Sequence, residues 1–220
     1  MPLGASQPNS QYERQARRQG FNTIAGVDEV GRGCLFGPVV AAAVVLDPAR
    51  PLRGLNDSKL LDAEEREVLA ARIRERALAV SVGAVDAATI DLINILQASR
   101  LAMKLAVEGL SKQPDYLLVD YLTLDLPIAQ IGLVKGDQKS RSIAAASIIA
   151  KVERDRWMQA WDVVYPEYGL ASNKGYSAPK HLAALTKYGC TPLHRMSFSP
   201  VTKVAAFTAL APRPQLNLFE

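Results

Sequence analysis

The segment FNTIAGVDEVGRGCLFGPVVAAAVVLD, residues 21–47, sets two short apolar runs, FNTIAGVDE and PVVAAAVVLD, on either side of a glycine-rich turn. Runs of this length, rich in Val, Ile and Ala and bounded by glycine, read as β-strands. The pattern returns in LAVSVGAVD, YLLVD and IGLVKGD, ending at Asp86, Asp120 and Asp137. Helical stretches separate the later runs. The clearest begins at Asp62, where Asp62 and Glu65 have capping-box spacing ahead of Val68, Leu69 and Ile73. Others run from about Ile93 to Leu110 and from about Ser140 to Ala160, where SIAAASIIAK is small and apolar enough to lie flat on a sheet. Strands joined by a bare turn pair antiparallel, and strands joined through helices pair parallel. The expected fold is therefore an α/β domain with a mixed sheet and helices on its faces.

At 220 residues and 49% hydrophobic side chains, the chain has enough apolar surface for one full core. Residues 1–20 read as a polar arm or a short, late-packing helix, residues 21–205 as the domain, and residues 206–220 as a tail. A helix is expected from Pro179 to Tyr188. No stretch approaches the roughly 18 apolar residues of a membrane span, and a cytoplasmic, monomeric protein is expected. Cys34 and Cys190 are far apart, so neither a disulfide framework nor a zinc site is indicated.

Charge is unevenly placed. Residues 151–220 hold nine Lys or Arg against five Asp or Glu, which leaves 17 of each in residues 1–150. Between Glu167 and Glu220 there is no acid, while Lys174, Lys180, Lys187, Arg195, Lys203 and Arg213 occur there with His181 and His194. That distribution suits a footprint for phosphates, although a solvated basic face has the same composition.

Asp28 and Glu29 close an apolar run beside Gly31-Arg32-Gly33, and adjacent carboxylates at a buried strand end are costly unless a cation neutralises them. Asp120 and Asp137 also end apolar runs. If their strands are parallel, all four acids gather at one sheet edge, where open α/β sheets place their sites. Carboxylates without His or Cys partners call for magnesium or manganese, and so for phosphoryl chemistry in which two such ions activate a water on one side of a phosphodiester and stabilise the leaving oxygen on the other. Asp47 and Asp86 end apolar runs as well, and an acid there is more often a turn former than a ligand. Neighbouring strand residues point to opposite faces, so Asp28 and Glu29 share a cluster only if the glycine turn bends the chain. The glycines do not form a dinucleotide fingerprint. Their spacing is one residue too long, and Pro38 leads into a β-branched run where a helix is required. They suit close backbone approach to a sugar-phosphate chain, with Arg32 as the charged partner.

IAGVDEVGRG from Ile24, GLNDSKLL from Gly54, NILQAS from Asn94, LLVD from Leu117, KGDQKSRSIAAASIIAKVERDR from Lys135, YPEYGL with KGYSAPKH, and HRMSFSPV from His194 follow one another in this chain. In order and spacing they resemble the successive blocks of bacterial ribonuclease HII, over roughly residues 22 to 204. The resemblance implies a ribonuclease H-like mixed five-stranded sheet flanked by helices, with a helical C-terminal extension. It implies an endonuclease that hydrolyses RNA in RNA/DNA hybrids and cuts 5′ of ribonucleotides embedded in duplex DNA. On the same ground Asp28, Glu29 and Asp120 are metal ligands for Mn2+ or Mg2+, and Asp137 is the fourth catalytic acid. Gly31, Arg32, Gly33 and Tyr176 would read the junction of a ribonucleotide with the following deoxynucleotide, and Lys59 would touch phosphate. Two positions depart from the family: Tyr121 stands where Gly is usual, and Ser177 replaces the second Gly of GYG. The ending, with Gln215, Leu216, Leu218 and Phe219, is similar to peptides that dock on the replication sliding clamp, and it also suits an amphipathic end folded back on the body. Two other functions stay open: a different nuclease of the same superfold, an exonuclease or junction resolvase, and a non-catalytic binder of nucleic acid.

Overall fold

The computed structural model describes residues 7–56 and 58–210. Strands β1 (Ile24–Val30), β2 (Val39–Val45), β3 (Ala79–Val85), β4 (Tyr116–Asp120) and β5 (Ala129–Leu133) form one sheet in the order β3-β2-β1-β4-β5. Strand β2 is antiparallel to β1 and β3, while β4 is parallel to both β1 and β5. The carboxyl ends of β1, β4 and β5 therefore share one edge. This is the mixed five-stranded sheet expected from the sequence.

Every residue of β2 is buried, which explains its unbroken apolar run. Ala41, Ala43 and Val45 face helix α3 (Ala87–Glu108), while Ala42 and Val44 face α4 (Arg141–Val164) and α2 (Ala63–Arg76). Helix α4 crosses β1 so closely that a Cβ on Gly26 would lie 2.0 Å from the Ser142 carbonyl carbon. Only glycine fits there. The small residues of SIAAASIIAK serve the same approach, with Ala144, Ala145, Ile148 and Ile149 fully buried. The amino end of α4 is held by helix α1 (Gln11–Arg18), whose buried Glu13 accepts from the Ser140 hydroxyl at 2.7 Å and the Ser142 amide at 2.9 Å.

Two expectations about connections are corrected. Helix α3 begins at Ala87, six residues before Ile93, with Asp86 as its N-cap accepting from the Thr89 amide at 2.8 Å. It breaks at Asn94 (φ 67°, ψ 162°), whose side chain accepts from the Leu96 and Gln97 amides and so caps the longer second segment. Apolar periodicity registers only that segment. Between β4 and β5 there is no helix: residues 121–128 make the parallel crossover as a loop, tied down by Gln130, whose side chain bonds the Leu124 amide and carbonyl.

Beyond α4, helices α5 (Leu170–Asn173), α6 (Pro179–Tyr188) and α7 (Ser199–Leu210) pack on the glycine-turn segment. Leu35, Phe36, Met158, Tyr168, Leu170, Leu185 and Val201 form this separate apolar cluster.

Candidate active site

The β1–β4 ladder ends at Val27–Val119, one residue short of Asp28 and Asp120. Strand β1 nevertheless keeps its register with β2 through Val30. Asp28 and Glu29 therefore stand where β1 has a strand on one side only. From there the ligand oxygens of Asp28, Glu29 and Asp120 lie within 4.8 Å of one another. The two neighbours share a cluster because the β1–β4 ladder has ended, not because the glycine turn bends the strand between them.

Asp28 is buried, accepts from its neighbour Glu29's amide at 2.8 Å, and meets the Ser147 hydroxyl of α4. Burial pushes its carboxyl well above the usual carboxylate range, and the charges of Glu29 and Asp120 push the same way. Burial also raises Glu29, against the pull of Arg32, whose guanidinium lies 3.2 Å from Glu29 Oε1. Asp120 is raised by burial despite the bond its Oδ1 accepts from the Gly136 amide at 2.6 Å. Glu29 Oε2 is buried with no hydrogen-bond partner among the described residues. Three acids that resist ionisation, with one oxygen left bare, fit a hard divalent cation well.

Asp137 lies on a short 3-10 turn (Gly136–Gln138) after β5, buried, with Lys59 Nζ 3.5 Å from its Oδ2. Its charge bears on Asp28 and Asp120, yet it stands outside the mutual 4.8 Å group. The sequence-derived quartet thus divides into a triad and a flanking acid. Asp47 and Asp86 cap the Ala49 and Thr89 amides, as turn formers do. Asp155 pairs with Lys151 at 2.7 Å.

The glycine turn and the tyrosine loop meet beside the triad: a Cβ on Gly33 would lie 3.9 Å from Tyr176 Cε1. Tyr176 is 43% exposed and is not a core aromatic. Two buried arginines fix this junction, Arg154, which sequence reasoning passed over, and Arg195, which it placed in a basic footprint. Arg154, on α4, donates to the carbonyls of Phe36, Pro38 and Lys174. It also occupies the space a side chain at Gly31 would need, 2.2 Å from a Cβ there, and Gly31 has φ 89°. Arg195 donates to the carbonyls of Gly37 and Arg32, both at 2.9 Å. Burial pulls its guanidinium down to about 10, which still leaves it charged at neutral pH. In the sequence Arg154 shows only as one residue of the block from Lys135, and Arg195 only as one of the basic residues that follow Glu167.

The basic footprint needs correction. Lys180, Lys187 and Lys203 are exposed, but His181, His194 and Arg195 are buried and bonded inward, so they present nothing to phosphates. Tyr121 adopts φ 62°, a left-handed conformation that glycine tolerates better, while its amide donates to the Leu133 carbonyl. Residues 211–220, with the proposed docking peptide, lie outside the described residues.

A parallel-edge carboxylate cluster on this sheet, flanked by α4 and a helical C-terminal part, defines a metal-dependent nuclease of the ribonuclease H class. A family model described as Ribonuclease HII matches residues 25–201. Ribonuclease HII of Solibacter usitatus is 60% identical over 94% of this chain and 91% of its own length. Among solved structures, ribonuclease H2 from Pyrococcus horikoshii OT3 superposes with a TM-score of 0.73 at 28% identity, covering 86% of this chain and all of that one. Ribonuclease HII of Archaeoglobus fulgidus, solved as a complex with PCNA, gives 0.69 at 28% identity over 82% of this chain and 96% of that one. This chain belongs to the ribonuclease HII family, and it is a hydrolase of the ribonuclease H type.

Proposed function

We propose that this protein cuts 5′ of ribonucleotides embedded in duplex DNA, as well as the RNA strand of RNA/DNA hybrids, leaving a 3′-hydroxyl and a 5′-phosphate. The observation that carries this reading is the approach of the Tyr176 ring to the Gly31-Arg32-Gly33 turn, whose Arg32 is ion-paired with Glu29 of the Asp28, Glu29 and Asp120 triad. Backbone amides of the turn would sense the 2′-hydroxyl, the group that distinguishes RNA from DNA. The accessible Tyr176 ring would pack on the next deoxyribose, where a further hydroxyl is unwelcome. Arg32 and Lys59, paired with Glu29 and Asp137 at the site, would supply positive charge to the substrate's phosphates.

Asp28, Glu29 and Asp120 would hold Mn2+ or Mg2+, since all their ligand atoms are oxygens. Bound there, such ions would activate the attacking water and stabilise the leaving oxygen. Asp137, close to the triad but outside it, would serve as an additional ligand or as proton acceptor. Asp120→Asn should keep the fold and bind duplex while losing cleavage; a fully active variant would remove the triad from the chemistry.

The tail forms a separate part of the proposal. Gln215, Leu216, Leu218 and Phe219 would dock on the sliding clamp, with Gln215 setting register and the apolar pair filling a pocket. The Archaeoglobus relative's complex with PCNA supports clamp docking in this family. Deleting residues 215–220 should end clamp binding in solution and leave cleavage of short duplexes unchanged. A deletion that still binds would refute the docking role.

A further inference from the structure

The two histidines form a directed chain. His194 Nδ1 faces the Thr191 amide at 3.0 Å and the Thr191 hydroxyl at 2.9 Å; the amide can only donate and the hydroxyl can do so too, so that nitrogen is an acceptor and carries no proton. A neutral His194 must then carry its proton on Nε2, which lies 3.1 Å from His181 Nε2. His181 accepts there, and its Nδ1 proton points at the Tyr176 carbonyl, 2.8 Å away, which can only accept. The opposite direction would leave His194 with no proton on either nitrogen. A proton added to His181 would set two N–H groups against each other, and one added to His194 would meet the Thr191 amide. One assignment satisfies every group.

The chain joins the two parts of the proposed junction reader. His194 is bridged to Phe36, three residues beyond the Gly31-Arg32-Gly33 turn, with the Arg195 amide donating to Leu35 and the Gly37 amide to Leu193. Arg195 Nη1 holds the Arg32 carbonyl. The His194-Arg195 pair thus grips the turn with one side chain and, through His181, the tyrosine loop with the other. Both rings are confined: His194 stands edge-on to Phe36, with centroids 5.0 Å apart, and His181 edge-on to Tyr168 at 5.9 Å.

We propose that the His194–His181 pair is a positioning device that fixes the separation of Tyr176 from the glycine turn, and with it the preference for a ribonucleotide–deoxynucleotide junction. This rests on the reading of Tyr176 given above. Neither histidine touches the substrate.

Two measurements test it. In the wild-type protein, 15N NMR of the imidazoles at pH 7 should show His194 protonated on Nε2 alone and His181 on Nδ1 alone; the reverse tautomers, or a cationic ring, would overturn the proposal. In His181→Phe, which keeps an aromatic ring in the cluster, KM for a duplex with one ribonucleotide should rise roughly five- to tenfold, the worth of about one hydrogen bond. Its kcat, and cleavage of a long RNA/DNA hybrid, should change little. Equal losses on both substrates, or none, would mean the pair only supports the fold. Tyr176→Ala, run alongside, separates the two levels. If it loses junction preference and His181→Phe does not, the positioning device fails alone; if it keeps the preference, the tyrosine reading fails and the device with it.

Discussion

Arg154 Nη1 donates to the Lys174 carbonyl across 2.8 Å, tying helix α4 to the loop that carries Tyr176 two residues later. The same guanidinium reaches Phe36 and Pro38, beyond the glycine turn. A single buried cation therefore holds three backbone carbonyls from two separate segments. A planar fork does this, and a lysine ammonium does not reach three such directions.

Arg154→Met should cost about 3–5 kcal/mol, because three buried carbonyls lose their donor. Arg154→Lys should rescue little of it. Urea unfolding of both variants measures this directly, and a lysine variant of wild-type stability would show that charge alone suffices.

The acid triad should oppose folding when no metal is bound. Asp28, Glu29 and Asp120 all have raised folded-state values, so their contribution is most favourable at low pH and is lost as pH rises from the ordinary carboxylate range through those values. In EDTA at neutral pH, Asp28→Asn should consequently melt higher than wild type while being inactive. Differential scanning calorimetry decides the point; a lower melting temperature would mean the buried acids are not strained.

Manganese at a hundredfold excess over its Kd should raise the wild-type melting temperature by about 5–10 °C. The shift should shrink as pH falls, because protons compete for the same carboxylates. Asp28→Asn should show a much smaller shift at every pH. A metal response equal in both proteins would place the ion elsewhere.

The histidines act with the opposite sign. Burial and the neighbouring His181 hold His194 down to about 3, from an ordinary value of 6.5, and burial lowers His181 too. Below about 6.5 the unfolded chain takes up protons that the folded chain refuses. Stability contributed by the pair is therefore present above that pH and lost as pH falls, with His194 alone giving a slope that approaches about 1.4 kcal/mol per pH unit on the way towards 3. His194→Phe should flatten the fall between pH 6.5 and 5 in urea titrations. An unchanged slope would show that other groups set it.

Much of this was legible in the residues. The five apolar runs became the five strands; β2 is legible because a strand buried throughout is apolar on both faces, whereas β5, at the sheet edge, is buried only at Leu133. The capping-box spacing at Asp62 and Glu65 became a capping box, since that chemistry is local. What escaped was decided by distant partners. Arg154, Arg195, His181 and His194 have the composition of a basic surface, and only tertiary packing turns them inward onto carbonyls and each other. The proximity of Asp28 and Glu29 depends on where the β1–β4 ladder stops, which no spacing along the chain encodes. Tyr121, visible beforehand only as a substitution for glycine, stands at a left-handed position that explains glycine's suitability there.

The most direct test of the account is an end-labelled DNA duplex containing one ribonucleotide, incubated with the protein and manganese or magnesium and mapped to the nucleotide. Cleavage on the 5′ side of that ribonucleotide, absent from an all-DNA control and from the Asp120→Asn variant, is the expected result. No cleavage there, with long RNA/DNA hybrids still cut, would contradict the junction-reading role of the glycine turn and Tyr176.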